Sequence, residues 1–160
     1  MKTLTQHLAQ YAAYHRDTRN IFTHFIGIPM IVLAVATLLS RPNWSGVTPA
    51  LLLTLFSCVF YLRLEIRLGL VMSALLGLNL WFGYAMAALP TAAWLSVGLG
   101  LFAVGWIIQF VGHHYEGRKP AFVDDISGLI IGPLFVVVEA GFLLGWRPEL
   151  KRQMEGAASA

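Results

Sequence analysis

The sequence predicts an all-α, polytopic membrane helix bundle, and three observations carry that prediction. Of its 160 residues 58% are hydrophobic and only 12% charged, about half the charged share of a soluble domain. Asp, Glu, Lys and Arg are absent between Arg19 and Arg41, between Arg41 and Arg63, and from Leu68 to Tyr115. As one helix the last stretch would be roughly 70 Å long, more than twice the hydrocarbon core, so it must fold back on itself. The expected architecture is a single domain over residues 1–160. It has four spans, a last apolar run that is either a fifth span or re-entrant/interfacial, and a short N-terminal interfacial helix.

The elements follow in order. Residues 3–16 hold good helix formers, with Leu4, Leu8, Tyr11 and His15 at helical spacing, and predict the interfacial helix. Asn20 is the expected N-cap of a first span over 21–39. Pro29 is expected to bend it, because proline removes a backbone donor and crowds the preceding turn. Residues 40–46, SRPNWSG, form a turn with Trp44 suited to the interface. The second span is placed at 49–62, with Arg63, Glu65 and Arg67 marking the return to water. The third covers 70–88 and the fourth 92–112, separated by a turn near Leu89-Pro90-Thr91. After the polar loop GRKPAFVDD comes the apolar run 126–146, expected to be broken at Gly132-Pro133 and carrying Glu139; residues 147–160 form a tail.

Charge placement orients the chain. With the N-terminus cytoplasmic, Lys2, Arg16, Arg19, Arg63, Arg67, Arg118 and Lys119 share that side. If the last run crosses, Arg147, Lys151 and Arg152 join Arg41 opposite, a 7 to 4 split; if it re-enters, the split is 10 to 1. The positive-inside bias favours the second arrangement. The formal charge of +3 is too small and scattered for a nucleic-acid partner. A lone cysteine, Cys58, excludes an intramolecular disulfide. The N-terminal segment lacks the continuous apolar core of a signal peptide and is expected to be retained.

Under either arrangement the segments YHRDTRNIFTHFIGIP and QFVGHHYEGRKPAFVDD meet on one membrane face, although about ninety residues separate their histidines. Gln109, His113 and Glu116 are spaced i, i+4, i+7 and form one polar stripe, as do Asn20 and His24 at i, i+4. His15 and His24 would oppose each other on one unbroken helix; a turn at Asp17–Asn20 lets them converge. Three histidines on converging helix ends are a ligand set for zinc, or for non-haem Fe(II) with open positions for oxygen and substrate. Glu116 would be a fourth ligand or orient a histidine through its second ring nitrogen.

Plainer readings compete. An interfacial histidine often hydrogen-bonds a helix end or a lipid phosphate, and His7 and His114 are read that way. Glu139 could pair structurally with Arg147. Arg118 and Lys119 are positive-inside residues that could also bind a carboxylate or phosphate. A proton-coupled transporter would need ionisable groups along the spans, which spans two to four lack. The same residues would also suit a zinc-dependent lipid hydrolase, and a non-catalytic membrane scaffold would need none of them for chemistry.

The two histidine segments resemble the integral-membrane 2-hydroxy-fatty-acid dioxygenases. The resemblance rests on His15, Asn20, His24, Gly27 and Pro29, then Gln109, Gly112, His113, Glu116, Gly117, Pro120, Ala121, Asp125, Gly132 and Pro133, and spans about residues 5–146. It implies Fe(II)-dependent α-oxidation, in which a long-chain 2-hydroxy fatty acid loses one carbon with consumption of dioxygen. His15, His24 and His113 are then the metal ligands and Glu116, Asn20, Gln109 and Asp125 surround them, with Arg118 and Lys119 toward the substrate. The expected location is a bacterial inner membrane, or the endoplasmic reticulum in a eukaryote, with the active site on the cytoplasmic side.

Overall fold

The computed structural model describes residues 2–157 and is all-helical, as its patterning predicts. Among the described residues seven α-helices follow one another: α1 (Leu4–Ala12), α2 (Thr18–Leu39), α3 (Pro49–Leu64), α4 (Ile66–Ala87), α5 (Thr91–Glu116), α6 (Gly128–Leu143) and α7 (Pro148–Ala157), with one 3-10 turn at Ala121–Val123. Among the described residues there is no strand, only an isolated bridge between Trp44 and Val47. The chain divides into two compact units, Met1–Ile28 with Ile108–Ala160, and Pro29–Ile107.

The helices α2, α4 and α5 are long and apolar enough to cross a membrane, whereas α3 and α6 are shorter apolar helices. Sixteen residues rise about 24 Å, short of a hydrocarbon core of about 30 Å. Large apolar side chains stand exposed along the helices, among them Leu52 and Phe56 on α3, Leu78 and Trp81 on α4, and Leu99 and Ile107 on α5. A soluble domain rarely exposes so much contiguous apolar surface, and lipid is its natural cover.

In the unit Pro29–Ile107, the break expected across 63–69 shrinks to one residue. Glu65 is extended (φ −164°), donates its N–H to the Tyr61 carbonyl, and accepts the Arg67 and Leu68 N–H groups on its carboxylate. It therefore ends α3 and caps α4 at once. The two helices then run so close that a Cβ on Gly69 would lie 2.6–2.8 Å from the backbone of Tyr61 and Leu62. Thr48 caps α3 with Pro49 following it. Trp94 donates its indole N–H to the Thr37 carbonyl at 2.8 Å, and Arg41 lies over its ring.

The unit Met1–Ile28 with Ile108–Ala160 is built on α1, α6 and α7, since α1 packs on both of the others. Thr3 caps α1 reciprocally with Gln6, and Leu4, Leu8 and Tyr11 form its buried face. That helix packs against α6 and α7. Two expectations are corrected. α2 starts at Thr18, not after Asn20, because the Asp17 carboxylate accepts the Arg19 N–H at 2.8 Å. α6 is not broken at Gly132-Pro133: it continues through Pro133, burying Ile131, Leu134, Phe135 and Val138. The tail folds too. Gly145 and Arg147 take positive φ, the Trp146 N–H returns to the Gly141 carbonyl at 2.8 Å, and α7 follows with Leu150 and Met154 buried one turn apart.

Gly69→Ala should destabilise the α3–α4 pair by about 1–3 kcal/mol, because overpacking outweighs alanine's better helix propensity. Denaturant unfolding of the purified protein in detergent measures the difference.

Candidate metal centre

Three short segments of one unit converge on the site. His15 lies between α1 and α2, His24 on the second turn of α2, and His113 on the last turn of α5. All three are buried, and each offers a ring nitrogen within 4.8 Å of the other two. Ring centroids are 4.4 Å apart for His15–His24, 5.2 Å for His15–His113 and 5.1 Å for His24–His113, each pair edge-on. The interruption between helices that lets His15 approach lies at residues 13–17, slightly before the expected Asp17–Asn20 turn.

Hydrogen bonding fixes what these rings offer. His15 Nδ1 faces the Tyr11 carbonyl at 2.7 Å, and His24 Nδ1 faces the Asn20 carbonyl at 2.8 Å. A carbonyl only accepts, so both Nδ1 atoms carry the proton and both Nε2 atoms present lone pairs when the rings are neutral. Those two Nε2 atoms lie 2.9 Å apart. Two lone pairs at that distance repel unless a proton or a cation sits between them. Burial pushes His15 down to about 4, so a proton is a poor candidate near neutral pH. A metal ion fits: nitrogens about 2.0–2.1 Å from one ion are separated by roughly 3 Å. His113 Nδ1 is also buried without a hydrogen-bond partner, as are the Asn20 Oδ1 and Gln109 Nε2 atoms. Buried polar atoms are seldom left so.

Glu116 holds the frame. Its carboxylate accepts the Arg16 N–H on both oxygens at 3.0 Å, the Asp17 N–H at 2.8 Å and the Asn20 amide at 3.1 Å. It thus ties the end of α5 to the chain that carries His15 and to the positive N-terminal end of α2, where a carboxylate is favoured. Its oxygens are directed to that chain, and it is not part of the three-histidine group. Gly112 lets the two helices meet. A Cβ there would overlap the Thr23 hydroxyl and lie 2.5 Å from Asn20 Oδ1.

The other residues singled out in the sequence sit elsewhere in this unit. Gln109 is buried on the α5 stripe. Asp125 accepts hydrogen bonds from Ser127 and pairs with Lys2 at 3.0 Å, interactions that hold its carboxyl well below the usual range. Arg118 donates to the Ala13 carbonyl at 3.0 Å, and Lys119 pairs with Asp124, which also accepts from the Tyr14 hydroxyl. His114 is exposed, His7 is buried on α1, and Glu139 lies half-buried on α6. Sequence reasoning missed Tyr11 and Phe135. The Tyr11 ring stacks on His15 at 4.2 Å and 9°, and Phe135 lies 5.6 Å from His15. Only the helical phase of Tyr11 hinted at burial.

Gly112→Ala should weaken divalent-metal binding by separating His24 from His113, while leaving helix content unchanged. Metal titration beside circular dichroism checks both.

The chain matches the family described as "2-hydroxy-palmitic acid dioxygenase Mpo1-like" over residues 1–143. It is 32% identical over 155 residues to the "2-hydroxy-palmitic acid dioxygenase MPO1" of Saccharomyces cerevisiae, covering 95% of this chain and 87% of that protein. No solved structure matches. With the family match running through all three histidines, the chain belongs to the Mpo1-like 2-hydroxy-palmitic acid dioxygenase family.

Proposed function

We propose that this protein is an Fe(II)-dependent dioxygenase that shortens long-chain 2-hydroxy fatty acids by one carbon, with His15, His24 and His113 as the metal ligands. The single observation that carries the reading is the pair of Nε2 lone pairs 2.9 Å apart in a buried site, within a chain of this family. An iron(II) ion bound there would supply the redox chemistry that lets dioxygen react with a hydroxy acid. Three neutral imidazoles leave that ion its full positive charge and open positions, which suits a ligand bearing a carboxylate and an adjacent hydroxyl.

The chain's own groups supply binding and order. The Tyr11 and Asn20 carbonyls hold two ring tautomers, so the ligand nitrogens are pre-aimed. Glu116 and Asn20 keep the His15 segment against α5. The buried Gln109 amide donor serves a substrate oxygen. Arg118 and Lys119, exposed on the loop after α5, draw the carboxylate toward the site. Asp125 fixes the same loop to Lys2. The alkyl tail follows exposed apolar side chains of α2 and α5, such as Phe22 and Phe110, into the bilayer. The site faces the cytoplasm, where the positive-inside bias places Lys2, Arg16, Arg19, Arg118 and Lys119.

The test is metal content and turnover of protein purified without oxygen. Chelation should abolish both oxygen uptake and the loss of one carbon from 2-hydroxypalmitate; added Fe(II) should restore them and Zn(II) should not. His15→Ala and His113→Ala should each reduce turnover to background. Full turnover by metal-stripped protein, or restoration by zinc alone, would overturn the reading.

A further inference from the structure

Of the three histidines, His15 alone is not on a helix. It sits between α1 and α2, where the regular backbone that aims His24 and His113 is missing. Its plane and tautomer must be set from outside. One residue does both. The Tyr11 carbonyl accepts from His15 Nδ1 at 2.7 Å, and the Tyr11 ring lies nearly parallel to the imidazole, 4.2 Å away. Tyr11 is itself held by α6. Phe135 meets its ring at 4.9 Å and 48°, and Gly132 leaves a notch for its hydroxyl. A Cβ on Gly132 would lie 2.9 Å from Tyr11 Oη and 3.1 Å from Ile28 Cδ1.

We propose that Tyr11 is a positioning residue of the metal centre: seated on Phe135 and in the notch at Gly132, it fixes the plane of His15, so that α6 acts on the centre through it. The inference rests on the metal-binding reading above. It assigns α6 a task, although that helix carries none of the three histidines. It also explains a buried glycine in the second turn of α6, where alanine has the better helix propensity. A stacked aromatic pair restricts the imidazole more tightly than aliphatic packing does, because ring faces allow fewer orientations.

The experiment is Co(II) titration of metal-free protein in detergent, read as affinity against a chromophoric chelator and as the visible spectrum of the bound ion. Tyr11→Phe keeps the ring and should bind close to wild type. Tyr11→Leu keeps the carbonyl but loses the stack; it should bind about 10–100-fold more weakly, the usual range for a residue orienting a ligand, with an altered spectrum. Gly132→Ala should weaken binding without loss of helix content. Combining it with Tyr11→Phe, which removes the hydroxyl from the notch, should recover most of the affinity. If Tyr11→Leu fails to fold, the Gly132 pair carries the test.

Wild-type affinity and spectrum in Tyr11→Leu would overturn the proposal, and so would equal losses in the Phe and Leu variants. Failure of the double variant to recover would overturn it too. No Co(II) binding by the wild-type protein would instead overturn the metal reading on which it rests.

Discussion

The 2.9 Å approach of two imidazole nitrogens, each with its opposite nitrogen already committed to a carbonyl, is the constraint on which the rest of this unit depends. An apolar interior does not tolerate opposed lone pairs unless something positive joins them. Much of the surrounding structure serves to hold the rings there. Glu116 draws the His15 segment onto α5, Gly112 removes the side chain that would keep α5 from α2, and Tyr11 backs the one ring that no helix supports. These devices come from different segments, so the site is a product of the unit's packing and not of one motif.

The polar groups around the rings divide by distance from them. Asn20 is central: its backbone carbonyl sets the His24 tautomer, its amide donates to Glu116, and its side-chain oxygen stays buried without a partner. Further out, Gln10 on α1 and Lys2 and Tyr14 on its two flanks reach Asp124 and Asp125 on the loop before α6. Those outer contacts are exposed, and exposed pairs contribute little stability each. Their role is to register the loop against α1, while buried faces such as Leu8 and Phe135 carry the packing energy.

The helices outside this unit show the same economy of means. A single extended residue, Glu65, ends one helix and caps the next. Gly69 then permits backbone-close packing of α3 on α4, the kind of small-residue contact that substitutes for a hydrophobic driving force in lipid. Exposed Leu, Phe and Trp along these helices need no protein partner when the solvent is hydrocarbon.

Charge exclusion from lipid and helical spacing are local properties of the chain, so the class of fold, the apolar stretches and the two histidine-bearing segments were legible from the residues alone. The polar stripe of Gln109, His113 and Glu116 was legible for the same reason. Helix ends were less so: α2 starts at Thr18 since Asp17, not Asn20, meets its first N–H groups, and α7 was hidden in a polar tail whose only signal was Leu150 and Met154 one turn apart. Three features emerge only in the folded chain: α6 continues through Pro133, Glu116 grips the His15 segment, and Tyr11 lies flat on His15. Each of these depends on a partner distant in sequence, and periodicity along one chain carries no information about which distant face a side chain will meet.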